Sequence, residues 1–329
     1  MNDGAFSHPI NRRQFALGSA AGLAALTFLP ARAMLVSAQD AGDLSAMGYP
    51  ELAVTVTDSS FEGVPDSTAA GRYLLTLTSS LPAGDTSNSG AIGFMSGTSL
   101  GMSASDLLQF LASTGGPPPS GTPEAGASPA AGGDGEEGAL PLEVYQLHFA
   151  GGVFAPPGQT AQAVIDLTPG EYVVWGDDPS LPQKPVTMTV TGDFPTDVKE
   201  PTSDITATLV DFAITLEGSL TAGKHIMKVQ HHGAQPHFLD IEKGPDTMTK
   251  EMVMAAFMGE MSGTPTAGGM SESDMQPVFY SPTQSIGTTT WHMIDLTAGT
   301  FLAACFFPTA GTGVPHAMNG MVDVFKVTG

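Results

Sequence analysis

Ile294-Asp295-Leu296-Thr297-Ala298-Gly299-Thr300-Phe301-Leu302 has a near-copy earlier in the chain, Ile165-Asp166-Leu167-Thr168-Pro169-Gly170-Glu171-Tyr172-Val173. A second pair precedes these. Ala70-Gly71-Arg72-Tyr73-Leu74-Leu75-Thr76-Leu77-Thr78 reads like Ala222-Gly223-Lys224-His225-Ile226-Met227-Lys228-Val229-Gln230. The two anchors occur in the same order in each half, which marks an internal duplication. Both are strand-like runs broken by Gly- or Pro-bearing turns, and the intervening sequence is short strands with frequent turns. That pattern predicts an all-β protein of two similar β-sandwich domains in tandem rather than a parallel α/β sheet.

The copies are expected at 48–194 and 203–329, with a linker near Phe194 to Ser203 that holds two prolines and alternating charge. Each carries one helical pattern between its anchors. Ser103-Ala104-Ser105-Asp106 opens one through Leu107, Leu108, Phe110 and Leu111; Thr247 to Glu251 opens the other through Met252, Val253, Ala256, Phe257 and Met261. Residues 117–138 are Gly/Pro/Ala/Ser-rich without periodicity and are expected to form a flexible surface loop, with Gly263 to Gly269 as the shorter counterpart.

The 329 residues carry 11 Lys+Arg against 33 Asp+Glu, a net charge of −22, which excludes the basic footprint of a nucleic-acid binder. At the N-terminus, Asn11-Arg12-Arg13-Gln14-Phe15-Ala16-Leu17 precedes an apolar run from Gly18 to Leu29 and then Ala31-Arg32-Ala33. Residues 1–33 are therefore expected to be an export signal resembling the twin-arginine class, cleaved after Ala33 or alternatively after Ala38. Cleavage after Ala33 removes three Arg and one Asp, leaving 8 basic and 32 acidic residues and a net charge of −24. The expected location is the periplasm, cell surface or extracellular space.

The chemistry-bearing side chains fall in the second copy. Gln230-His231-His232-Gly233-Ala234-Gln235-Pro236-His237-Phe238 joins two expected strands. Downstream come Cys305, the chain's single cysteine, and Pro315-His316-Ala317-Met318-Asn319-Gly320-Met321-Val322. Two imidazoles and a thiolate with a long thioether bond form a trigonal copper site, because soft sulfur holds Cu(I) while imidazole tolerates Cu(II).

These loops resemble those of the cupredoxins, the plastocyanin-, pseudoazurin- and halocyanin-like type 1 copper proteins. Pro236-His237-Phe238 matches the family's first ligand loop, and His316, Gly320, Met321, Val322, Val324 and Val327 match its closing loop and final strand. The resemblance implies a Greek-key sandwich in each copy, full over about 203–329 and of fold alone over about 48–194. Carried over residue by residue, it implies one type 1 copper held by His237, Cys305 and His316, with Met321 axial. His231 occupies the place of a bracing Asn, so His231, with His232 and Met318 nearby, is a bracing or alternative ligand. One departure stands out: ten residues separate Cys305 from His316, where the family has two to four. That insert can bulge outward and return His316 to the metal, or it can abolish the site.

The first copy is an internal control. Gapless extension of the second anchor puts Gly176 opposite Cys305, and no His stands near the places of His237 or His316. Residues flanking Cys305 are Ala304 and Phe306, and no His-x-His pair exists, so the second metal centre of a copper oxidase or nitrite reductase is not provided for. A thiol nucleophile would need a positioned base, which the sequence supplies only from the same histidines. The expectation is a one-electron carrier and not an enzyme. Its partner would be a basic, cytochrome-like redox protein or a membrane electron-transfer complex, with no small-molecule substrate. Two alternatives stay open: a copper carrier or store using His and the seven Met from Met248 to Met275, and a metal-free interaction module. Cys305 as an inert buried thiol belongs to the latter. His225 and His292 are expected to pack, and His148 has no assigned role.

Overall fold

The computed structural model describes residues 42–82, 90–114, 139–176, 184–262 and 274–329. The export signal and its cleavage sites, the 117–138 segment and the 263–269 segment lie outside the described residues. After a single turn, α1 (Gly42–Ser45), the first half forms β1 (Glu51–Val56), β2 (Phe61–Glu62), β3 (Ser67–Ala69), β4 (Gly71–Ser79) and β5 (Gly90–Ser96). It continues through α2 (Ala104–Ser113), β6 (His148–Ala155), β7 (Thr160–Leu167), β8 (Gly170–Gly176) and β9 (Val186–Thr191). The second half forms β10 (Ile205–Val210), β11 (Ala213–Gly218), β12 (Gly223–His231), β13 (His237–Gly244) and α3 (Lys250–Ser262). It ends with β14 (Gln276–Gln284), β15 (Thr289–Leu296), β16 (Gly299–Ala304) and β17 (Val322–Val327). The described residues are all-β, with α2 and α3 laid against the strands.

Local sequence accounts for these elements. Along β10, Ile205, Ala207 and Leu209 are buried while the residues between them are partly exposed, the period-two pattern of a strand with one face on the core. Gly170 and Gly299 take equivalent places at the start of β8 and β16, with φ of 157° and 147°. L side chains rarely adopt either angle, so both Thr-x-Gly turns select glycine. Ser103 caps α2 through a reciprocal box with Asp106, and Thr249 Oγ1 accepts the Met252 N–H at the start of α3.

The halves are joined strand to strand. One sheet runs β11-β10-β12-β15-β7-β4-β1-β2; the other runs β17-β16-β13-β14-β6-β5-β8-β9-β3. Each order reads the same from either end once the halves are exchanged, apart from the added β3. The joints are β15–β7, pairing Trp291 with Val164, and β14–β6, pairing Gln284 with Ala150. Four strands that would otherwise be sheet edges thereby cover one another. Trp291 is fully buried at this joint, with the Arg72 guanidinium 4.4 Å from its ring centroid. One apolar cluster crosses the joint, holding Met95, Leu107 and Phe149 together with Phe238, Leu239, Cys305 and Phe307.

His292 lies on β15 inside the combined sheet rather than on an edge, bonded through Nε2 to Thr290 Oγ1 at 2.8 Å and Ser281 Oγ at 3.2 Å. His225 Nε2 bonds the Thr221 carbonyl at 2.9 Å, and the ring packs as expected. His148 Nε2 is buried without a hydrogen-bond partner among the described residues.

Candidate metal centre

The end of the sandwich where β13 begins and β16 finishes collects the expected ligands. His237 opens β13, and Cys305 follows the last residue of β16. The chain then leaves the sheet and returns: Pro308 and Pro315 form an isolated antiparallel bridge, and Thr309 N–H bonds the Val314 carbonyl at 2.8 Å. The insert is thus a closed excursion. It delivers His316 into a single 3-10 turn ending at Gly320, whose φ of 102° few other residues adopt. Backbone bonds fasten the returning segment to the departing one. Ala317 N–H reaches the Cys305 carbonyl at 2.7 Å, His316 N–H the Phe307 carbonyl at 2.9 Å, and Cys305 N–H the Met321 carbonyl at 3.2 Å.

The result is a compact donor triangle. His237 Nδ1 and His316 Nδ1 are 2.9 Å apart, and Cys305 Sγ lies 3.8 Å from each. A triangle with those sides has a circumradius of about 2.1 Å, within the range of about 2.0–2.3 Å for metal–imidazole and metal–thiolate bonds. All three residues are 0% exposed, and no other cluster of three His, Cys, Asp or Glu donors occurs among the described residues. The donor set fits a type 1 copper ion. Met321 is also fully buried and belongs to the same apolar cluster as Cys305.

Burial governs the charge state. Desolvation lowers His237 to about 2, helped by the neighbouring His316 and His231, and lowers His316 to about 4 against the pull of Asp211. The same cause pushes the Cys305 thiol up to about 12. The imidazoles are therefore neutral and the thiol protonated until a cation arrives. A carboxylate only accepts, so the 3.0 Å contact from His237 Nε2 to Asp211 Oδ1 is an Nε2–H donation that leaves Nδ1 as a lone pair aimed at the cluster. His316 Nε2 faces Gln235 Oε1 at 3.4 Å.

The remaining candidates take supporting places. His231 stacks on His237, with centroids 4.7 Å apart at 24°, and its Nε2 is bonded to the Gln235 carbonyl at 2.8 Å; it braces and stands outside the donor triangle. His232 is exposed and Met318 half-buried in the turn after His316. Met248 and Met275 pack with Val253, Leu302 and Val322 between α3 and the sheet. Strand register locates the first-half counterparts of two ligands. β5 pairs Phe94 with Val174 as β13 pairs Ile241 with Ala303, which puts Gly90 where His237 stands and Gly176 where Cys305 stands. Neither glycine offers a side-chain donor.

Sequence reasoning missed two groups of residues. Asp211 and Phe212 form the two-residue turn between β10 and β11; the Phe212 ring meets His316 edge-on at 5.3 Å and 84°. The second group comes from the first half. Tyr145 Oη donates to the Pro308 carbonyl at 2.9 Å, and Tyr145 and Phe149 pack edge-on against Phe307, itself 5.9 Å from His316. The first half therefore walls the ligand loop.

No family model and no curated protein matches the chain. Solved structures are similar to part of it. A dithionite-reduced auracyanin from Roseiflexus castenholzii shares 15% identity, covering 38% of this chain and 95% of its own, with a TM-score of 0.26. Auracyanin B shares 16%, covering 41% and 96%, with a TM-score of 0.24. The azurin Az-iso2 of Methylomonas sp. strain J shares 13%, covering 38% and 96%, with a TM-score of 0.23. The second half is a β-sandwich built from β10 to β17. Its chemistry is read from the donor triangle rather than from likenesses of this extent.

Proposed function

We propose that this chain is an exported copper protein whose second half holds one type 1 copper and shuttles single electrons. The observation that supports this most directly is the convergence of His237 Nδ1, His316 Nδ1 and Cys305 Sγ on one point about 2.1 Å from each. Met321, fully buried in the same cluster as Cys305, would supply the thioether in this reading. Copper, when bound, supplies a one-electron couple between Cu(I) and Cu(II). The protein's part is to hold the donors fixed, so that little rearrangement accompanies the change of charge. His237 is oriented by Asp211, and the Cys305 and His316 backbones are knitted together by the bonds around Phe307 and Ala317. If a metal bound there, the Cys305 thiol proton would pass to solvent and the hydrogen between the two Nδ1 atoms would shift to His316 Nε2, opposite Gln235, leaving both Nδ1 lone pairs free. The walls of Phe307, Phe238 and Tyr145 keep water from the donors.

The partner in this reading is a basic, cytochrome-like redox protein or a membrane electron-transfer complex, attracted by the acidic surface. Rates of reduction by such a partner should fall with ionic strength. The test of function is a visible spectrum of the mature protein after one equivalent of Cu(II). An intense thiolate-to-copper band, absent from Cys305→Ser, supports the reading. Colourless protein that retains Cu(I) would replace it with copper delivery. Protein that retains copper in neither state would leave an interaction module.

A further inference from the structure

Three observations meet at the β10–β11 turn. Asp211 Oδ1 lies 3.0 Å from His237 Nε2 and also accepts the Gln235 N–H at 3.1 Å, so one oxygen fixes both a ligand ring and the loop that carries it. Phe212, the other turn residue, has φ of 63°, the one non-glycine residue with positive φ among the described residues. That conformation is costly for a bulky aromatic, yet it places the carboxylate on one imidazole and the ring on the other. Finally, Gly233 leaves the space the pair occupies: a Cβ there would come within 2.5 Å of Asp211 Oδ1 and 2.6 Å of His237 Nε2.

We propose that Asp211 is a positioning residue that acts on the metal through His237, locking its tautomer and holding the copper reduction potential down. This rests on the copper reading above. A carboxylate that accepts Nε2–H makes Nδ1 a stronger donor and stabilises the higher charge on the ion. Asp211 is not a ligand; its carboxylate remains 30% exposed while the imidazole it bonds is fully buried. Gly90, the first-half counterpart of His237, has no ring to take such a contact.

The test compares full-length mature protein with Asp211→Asn and Asp211→Ala. In the metal-free proteins, ¹⁵N spectra of the His237 ring should show the Nε2–H tautomer in the parent, kept in Asp211→Asn and lost or mixed in Asp211→Ala. With copper alone as the probe, Asp211→Asn should bind Cu(II) about 10- to 100-fold more weakly. Its potential should rise by about 59 mV for each tenfold by which Cu(II) is weakened more than Cu(I). The thiolate-to-copper band should persist in Asp211→Asn, since the ligands are untouched. A parent that forms no band removes the copper reading, and the metal-free spectra then decide Asp211 alone. A parent band together with an unchanged potential in Asp211→Asn overturns the effect on the metal. An unchanged His237 tautomer in Asp211→Ala overturns the positioning.

Discussion

Gln235 Oε1 accepts the backbone N–H of Ala310 at 2.7 Å, tying the first ligand loop to the middle of the insert between Cys305 and His316. The same oxygen stands opposite His316 Nε2. A ten-residue excursion would otherwise cost ordering entropy each time His316 was returned to the cluster, and one side chain restrains it from outside.

Gln235→Ala removes both contacts. The expected outcome is a stability loss of about 0.5–1.5 kcal/mol, the usual net worth of one hydrogen bond, with faster hydrogen exchange at Ala310. Copper affinity should fall, because the His316 segment then loses its tie to the first ligand loop. An Ala310 amide as protected in the variant as in the parent would show that the excursion is ordered without Gln235.

Tyr145 tests what the first half contributes. Tyr145→Phe keeps the ring against Phe307 and deletes only the hydroxyl that reaches the Pro308 carbonyl. It should cost about 0.5–1.5 kcal/mol in urea denaturation. The copper band should also shift or broaden, since Phe307 transmits movement of Pro308 to His316. A variant with the parent's stability and band would mean that the first half merely abuts the loop.

The candidate donors were legible because His237 and His316 sit in short local patterns, Pro-His-Phe at 236–238 and His-x4-Met closing on an alternating strand, and Cys305 is the single cysteine. The duplication was legible because its anchors are strands with Thr-x-Gly turns, conditions a sequence states directly. Asp211 was not. It lies 26 residues before His237, in Val-Asp-Phe-Ala, which carries no Gly or Asn to announce a hairpin. Phe212 bears the positive φ that such a residue would normally supply. The joining of the halves was hidden for another reason. Strands β6, β7, β14 and β15 are largely buried on both faces, and that pattern is the same whether the neighbour is a sister strand or the other half. Tyr145 depends on that joint and so could not be placed either.

Gly233 offers a steric test of the same corner. In Gly233→Ala the new methyl must displace the Asp211 carboxylate or the His237 ring, since both lie closer than real Cβ contacts allow. The variant should lose about 1–3 kcal/mol by overpacking while keeping its far-ultraviolet dichroism. Its Cu(II) affinity should drop more than that of Gln235→Ala, because a ligand ring rather than a loop is moved. Parent-like affinity would mean that the loop at 232–236 shifts without disturbing His237.

Acid sensitivity of the metal-free protein arises from its buried imidazoles. Desolvation lowers His237 to about 2, His292 to about 3, and His231 and His316 to about 4. Unfolded, each protonates near about 6.5. Below that pH the unfolded chain binds more protons than the folded one, so stability falls as the pH drops, by up to about 1.4 kcal/mol per unit for each group. Cys305 works in the opposite limb. Its folded value near 12 means that above about pH 8.5 the unfolded chain releases a proton the folded chain keeps, and stability falls again. These groups therefore place the maximum between about pH 6.5 and 8.5. His292 separates this effect from the metal centre, since its Nε2 bonds Thr290 and Ser281 near the joint of the sheets. Denaturation midpoints measured from about pH 4 to 10 should show a shallower acid limb for His292→Gln than for the parent, with the alkaline limb unchanged. Parallel acid limbs would mean that His292 is protonated as readily folded as unfolded.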